Sequence, residues 1–341
     1  MIDNNMSPRL LGLLIFCLPL FFVVPLALIA APGTEVFDQY IDVGGYKLHV
    51  GCAGAGHPAV ILDAGLGGTS ADWAEVQRQV SEFTQVCTYD RAGLGLSDQV
   101  PKPRHALNMV DDLHTLLINA GIEGPYVLVS HSMAGFIARL FTSRYPAEVA
   151  GMVLVDASQP DEMTRTLRLL PPETSGEPET LTAFRNENLE FLSDPLNNPE
   201  GVDWEVSAEQ VRSAGPFGTL PVVILRHAFP AKPFPALPSE VAERLEMDWQ
   251  AMQEEQLALS DNSMLIVAPT SNHCIHCETP EVVTDAIRGL IETAQNNAET
   301  VDQPNNRHII ENCTFLSFPC SRGKCVPRNF NISPQSQSKS R

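Results

Sequence analysis

Two short stretches carry residue types able to do covalent chemistry. In YVLVSHSMAGFIARLF (126–141), Ser132 stands among small residues between a β-branched, aliphatic run and a segment with helical spacing. A serine at the tip of a sharp strand-to-helix turn directs its Oγ out of a sheet, where the helix N-terminus stabilises negative charge. The usual pattern is G-x-S-x-G; here it reads Ser130-His131-Ser132-Met133-Ala134, followed by Gly135. The competing reading is an ordinary serine N-cap. The second stretch, SNHCIH (271–276), supplies His273 as a candidate base, with His276 as its rival, downstream of the serine as that motif requires. Acyl transfer also needs two N–H donors at the oxyanion. Met133, next to the serine, and Leu66, within the glycine-rich AGLGGTS (64–70), are the candidates; a plain turn between strand and helix is the alternative for the latter.

Such residues need a rigid frame. FDQYIDV and YKLHVGC flank Gly44-Gly45, a hairpin signal. AVILDAG (59–65), QVCTYD (85–90), YVLVSH (126–131), GMVLVDA (151–157), PVVILRH (221–227) and SMLIVAPT (263–270) are short apolar runs, as expected of strands buried on both faces. Between them, Trp73, Val76, Val80 and Phe83 form a helical stripe behind Ser70 as N-cap. Val110, Leu113, Leu116 and Leu117 form a second stripe, and Val283, Ile287, Leu290 and Ile291 a third behind Thr279-Pro280. The alternation predicts an α/β sheet with right-handed crossovers. It breaks once, at residues 159–218, where EMTRTLRLL and TLTAFRNENLEFL lie among prolines, as in an inserted lid. Residues 35–158 and 219–294 then form the core, and the polar stretch 295–341 is read as a mostly disordered tail.

Composition narrows the partners. A chain of 341 residues with 44% hydrophobic residues can bury a full core, and a net charge of -19 argues against nucleic acid or anionic lipid surfaces. Residues 1–34 contain the uncharged run Leu10–Ala31, long enough at about 1.5 Å per residue to cross a bilayer core of roughly 30 Å. An uncleaved signal anchor fits this length better than a cleaved signal peptide, although Ala30-Ala31 leaves cleavage, and hence secretion, open. Arg9 before the run and Glu35 and Asp38 after it favour a domain anchored at the membrane and facing away from the cytoplasm. The eight cysteines do not make a disulfide scaffold, although Cys313, Cys320 and Cys325 cluster where two of them could pair. HCIHC (273–277) lacks a second ligand pair, so no metal is expected there.

Taken in order, AVILDAGLGG (59–68), TYDRAGLGLSD (88–98), LVSHSMAG (128–135), YPAEVAGMVLVDAS (145–158) and SNHCIHCETPEVVTDAI (271–287) give the chain a resemblance to the α/β-hydrolase superfamily over about residues 36–293. The resemblance implies an eight-stranded, mostly parallel sheet flanked by helices, with an antiparallel second strand and a helical cap after the sixth. It implies Ser132 as nucleophile, His273 as base, no cofactor and a small-molecule ester substrate. Ser130 and Ala134 replace glycines of the serine turn, Asn272 a glycine before the histidine, and Ala64 a histidine before the oxyanion glycine. The acid departs further. Many relatives carry it after the seventh strand, yet here no carboxylate follows that strand before Glu240. That points to Asp156, at the end of the sixth strand, a position some lipases of the superfamily use; Asp161 and Glu162 stay open as alternatives.

The residues therefore predict a serine hydrolase acting on a carboxylic ester. Amide hydrolysis or a cofactor-free lyase reaction would use the same groups. The alternative is a membrane-tethered binding module that keeps the fold without the activity.

Overall fold

The computed structural model describes residues 37–229 and 234–301, and side chains as far as residue 294. Eight strands form one sheet: β1 (Phe37–Asp42), β2 (Lys47–Ala53), β3 (Ala59–Asp63), β4 (Val86–Tyr89), β5 (Tyr126–His131), β6 (Val149–Val155), β7 (Val222–His227) and β8 (Ser263–Ala268). Their spatial order is 1-2-4-3-5-6-7-8. β2 runs antiparallel to both its neighbours, and β3 to β8 are mutually parallel.

Alternate residues of the central strands feed two separate cores, as a period of two requires. Val60, Leu62, Val127 and Val129 pack on one face with α1 (Ala74–Val80) and α9 (Pro280–Val301). Ile61, Leu128, Met152 and Leu154 pack on the other with α2 (Ala106–Asn119) and α3 (Ala134–Arg144). The three expected helical stripes are the faces that α1, α2 and α9 bury. Strands sandwiched in this way show unbroken apolar runs in the sequence.

Between β6 and β7 lie α4 (Glu162–Leu169), α5 (Glu179–Ser193) and α6 (Trp204–Arg212), and between β7 and β8 lies α7 (Ser239–Glu255). Leu170 and Leu181 join Val241 and Leu245 of α7 in a small third core. The short α8 (Ile275–Glu278) precedes α9.

Several sequence expectations need correction. Thr69, not Ser70, occupies the N-cap before the 3-10 turn Ser70–Trp73, where its side chain and that of Asp72 complete a capping box. Helix α9 runs on through residues 295–301, seven positions into the stretch expected to be tail. Four cysteines pair in ways the sequence did not announce. Cys52 and Cys87 face each other across β2 and β4, and Cys274 is bonded to Cys277. The apolar run Leu10–Ala31 and Cys313, Cys320 and Cys325 lie outside the described residues. Among the described residues no helix is long and apolar enough to cross a membrane.

Candidate active site

The C-terminal ends of the parallel strands bring the sequence-selected residues together, at the edge where open α/β sheets bind ligands. Leu66 follows β3, Ser132 follows β5, Asp156 follows β6 and His273 follows β8.

Ser132 has φ of 51° and Asp156 φ of 45°, both in the left-handed region that non-glycine residues avoid at a cost of roughly 1 kcal/mol or more. The neighbouring backbone holds them there. Ser132 N–H donates to the Val155 carbonyl at 3.1 Å, the Ser158 N–H donates to the Ser132 carbonyl at 3.0 Å, and the Asp156 N–H donates to the Leu225 carbonyl at 2.7 Å. The glycine this turn needs sits one place later than the G-x-S-x-G pattern. A Cβ on Gly135 would lie 2.7 Å from Ala157 Cβ, whereas Ala134 fits into the buried core. Gly65 is equally constrained, because a Cβ there would lie 2.7 Å from His131 Nδ1 and 3.2 Å from Ser132 Cβ.

Asp156 is fully buried, and its Oδ2 accepts from His273 Nδ1 at 2.7 Å. The same oxygen accepts from His227 Nδ1 at 2.7 Å and from Trp249 Nε1 at 3.1 Å, while Oδ1 accepts from the His227 amide at 3.3 Å. Burial alone would raise this carboxyl, but hydrogen bonds from His227 and His273 outweigh it and hold the group at about 2. Asp156 is therefore a carboxylate at any ordinary pH. Asp161 instead pairs with Arg212 on the exposed surface, 3.0 Å away. Glu162 lines the same cavity as Ser132.

His227, at the end of β7, was not selected from the sequence. Its Nε2 donates to Glu246 Oε1 at 2.9 Å, and Gln250 Nε2 donates to the same oxygen at 2.6 Å. Burial opposes a charge on this ring, yet the carboxylates of Asp156 and Glu246 outweigh it and raise the group to about 9. With both nitrogens donating, His227 is an imidazolium at neutral pH. Only the histidine at the end of the largely apolar stretch PVVILRH hinted at it.

The two loop histidines separate clearly. His273 has a half-exposed side chain with Nδ1 on Asp156. His276 is buried against Trp73, ring centroids 4.0 Å apart, and burial lowers it to about 4. His131 packs against both rings and donates from Nε2 to the His273 carbonyl at 3.0 Å, fixing the loop that carries His273. Burial first, then His273 and His276, depress His131 well below its usual value. The sulfurs of Cys274 and Cys277 and a ring nitrogen of His276 lie within 4.8 Å of one another, but the two sulfurs are joined to each other and are not thiolate ligands.

Ser132, Met133 and Leu66 line one cavity of about 280 Å³. Among the hydrogen bonds of the described residues, neither the Met133 nor the Leu66 amide has an internal acceptor. The turn carrying Leu66 is fixed from below. Buried Arg91 donates to Asp63, to the Ala64 and Gly65 carbonyls at 2.5 and 2.7 Å, and to both oxygens of Glu200 at 2.6 and 2.7 Å. Glu200 in turn accepts from the Gly67 amide at 2.8 Å. The segment between β6 and β7 supplies Met163, Glu187, Asn188, Phe191 and Trp204 to the cavity wall.

The comparisons agree with this architecture. A family model described as the alpha/beta hydrolase family matches residues 53–286. YqjL of Bacillus subtilis, named an uncharacterized protein, is 29% identical over 234 residues, covering 69% of this chain and 83% of its own. Of seven other curated relatives the chain spans only 16% to 45% of their length. Among solved structures, a thermophilic esterase from Thermogutta terrifontis superposes with a TM-score of 0.51 at 22% identity, over 76% of this chain and 99% of that one. A haloalkane dehalogenase variant from Bradyrhizobium elkanii does so with a TM-score of 0.57 at 14% identity, over 78% and 100%. At such identities the likeness is one of fold.

Proposed function

Because the chain belongs to the alpha/beta hydrolase family, we propose that it is a serine hydrolase that cleaves carboxylic esters through an acyl-enzyme. The observation that carries this reading is the pairing of His273 Nδ1 with the buried Asp156 carboxylate while Ser132 is held on a strained turn between two strand ends. With Nδ1 committed as donor, Nε2 is the basic nitrogen. It takes the Ser132 Oγ proton as Oγ bonds to the carbonyl carbon, and the amides of Met133 and Leu66 receive the oxyanion. The imidazolium returns the proton to the departing alcohol. Water, deprotonated by the same nitrogen, then releases the carboxylic acid and restores Ser132.

The helices of residues 159–218 act in this reading as a cap over the acyl site. Two disulfides support an oxidising compartment, consistent with a domain held outside the cytoplasm by Leu10–Ala31. A serine nucleophile with an ordered base favours catalysis over a binding module.

A fluorophosphonate probe tests the proposal. Stoichiometric labelling mapped to Ser132, and loss of p-nitrophenyl butyrate turnover in Ser132→Ala with an unchanged melting temperature, are expected. Folded protein that takes up no label, or a loss of less than about tenfold in Ser132→Ala, would overturn it.

A further inference from the structure

The Asp156 carboxylate is held by more than its pairing with the base requires. Besides His273 Nδ1 at 2.7 Å, Oδ2 accepts from His227 Nδ1 at 2.7 Å and from Trp249 Nε1 at 3.1 Å. His227 reaches the other oxygen as well, its amide donating to Oδ1 at 3.3 Å. An aspartate carboxylate turns about its Cβ–Cγ bond in a broad well, so donors on one oxygen leave its plane loosely fixed, whereas one residue gripping both oxygens sets it. The grip is itself braced. The Asp156 amide donates to the Leu225 carbonyl at 2.7 Å, which sets Asp156 beside the end of β7 that carries His227. The far nitrogen of the His227 ring, Nε2, donates to Glu246 Oε1 at 2.9 Å, and Gln250 donates to that same oxygen at 2.6 Å, so α7 keeps the ring from rotating. Both ring nitrogens face carboxylate oxygens, which accept only, so each nitrogen carries its proton and Nδ1 turns no lone pair towards Asp156. Asp156 has no exposed surface on which water could replace these donors, and His227 and Glu246 are buried with it.

We propose that His227 is a positioning residue for the reaction at Ser132: it fixes the plane of the Asp156 carboxylate so that Oδ2 meets His273 Nδ1 and holds that ring in the orientation proton transfer needs. The inference rests on the serine-hydrolase reading and adds to it a residue that acts only through Asp156. The base has need of such support, because the His273 side chain is half-exposed and Asp156 is what its Nδ1 is tied to. Losing the grip leaves the binding of a short ester as it was and slows the chemical step, because a carboxylate free to turn lets the base turn with it.

The experiment measures kcat and KM on p-nitrophenyl butyrate for three variants, with kcat expressed per Ser132 that takes up a fluorophosphonate at completion, so that misfolded protein is not counted. His227→Leu keeps the backbone donor and removes the ring; kcat should fall by about tenfold or more while KM stays within about threefold. His227→Asn carries an amide nitrogen on Cγ, as histidine carries Nδ1, and should recover kcat to within about threefold of wild type. His227→Gln carries its amide one carbon further out, nearer Glu246, and should not recover it. A residue that only fills space would not separate the two amides, and their comparison decides the matter if the leucine variant does not fold. Equal kcat in the Asn and Gln variants, wild-type kcat in His227→Leu, or a loss confined to KM would overturn the inference. The label separates the two claims: labelled Ser132 with indifferent kcat sinks only the role of His227, whereas folded wild-type protein that stays unlabelled sinks the hydrolase reading itself.

Discussion

His227 and His273 meet at a single atom, each with Nδ1 2.7 Å from Oδ2 of Asp156. One carboxylate thus serves both a solvent-facing imidazole and a buried imidazolium, and Glu246 balances the second. The Asp156 carboxylate is shared, and its hold on His273 depends on what happens at His227.

Replacing Asp156 with Asn should keep the fold yet lower kcat by a large factor, on the order of 10⁴, because the amide no longer stabilises the imidazolium of His273 or selects its tautomer. Asp161→Asn, at an exposed pair with Arg212, should change kcat less than twofold, the scale of a surface ion pair. Steady-state kinetics of both variants check the assignment; collapse in the second and not the first would transfer the role.

His227→Gln removes a cation that shares the same carboxylate oxygen with His273. Linkage gives the readout. The pKa of His227 is raised on folding, so its stabilising contribution is complete below its unfolded value near 6.5 and disappears as pH rises through about 9. The melting-temperature difference between wild type and variant should shrink over that interval. A difference that is flat with pH would argue against a charged His227.

Glu200→Ala leaves Arg91 buried with two of its five hydrogen bonds missing and frees the Gly67 amide. A loss of roughly 3–5 kcal/mol is expected in urea unfolding, as when one member of a buried ion pair is removed. Because the same contacts hold the turn carrying Leu66, kcat of the remaining folded enzyme should fall as well.

The two disulfides should differ in what they support. Cys52–Cys87 closes 35 residues and should stabilise the chain by about 3–4 kcal/mol, visible as a lower melting temperature in the paired serine variant. Cys274–Cys277 closes only 3 and restricts the unfolded chain little, but it begins at the residue after His273. The Cys274→Ser/Cys277→Ser variant should melt near wild type with reduced kcat.

Candidate residues could be picked from the sequence wherever one short segment carried them. Ser132, Met133, Leu66 and His273 were each picked from a turn next to a strand, and Asp156 from the family resemblance, in which the end of β6 is the alternative place for the acid when the end of β7 carries no carboxylate. The structure brings all five to one edge of the sheet. His227, Glu246, Trp249, Arg91 and Glu200 converge from separate segments, and their spacing carries no period or motif. The glycine requirement was legible in kind but misplaced, since contact between Gly135 and Ala157 depends on how two strands pack. Cys52 and Cys87 pair through the register of two antiparallel strands, which is a property of the sheet and not of either strand.

The shared carboxylate also constrains how this site could be rebuilt. If Asp156 is the acid, moving that role from the end of β6 to the end of β7 would begin with an aspartate in place of His227, which would set three carboxylates, with Asp156 and Glu246, in one buried cluster. Losing Asp156 first would strand an imidazolium and leave His273 without its acceptor. On the proposed mechanism both single steps would pass through an impaired protein, so the pair of histidines would act as a ratchet that keeps the acid where it is.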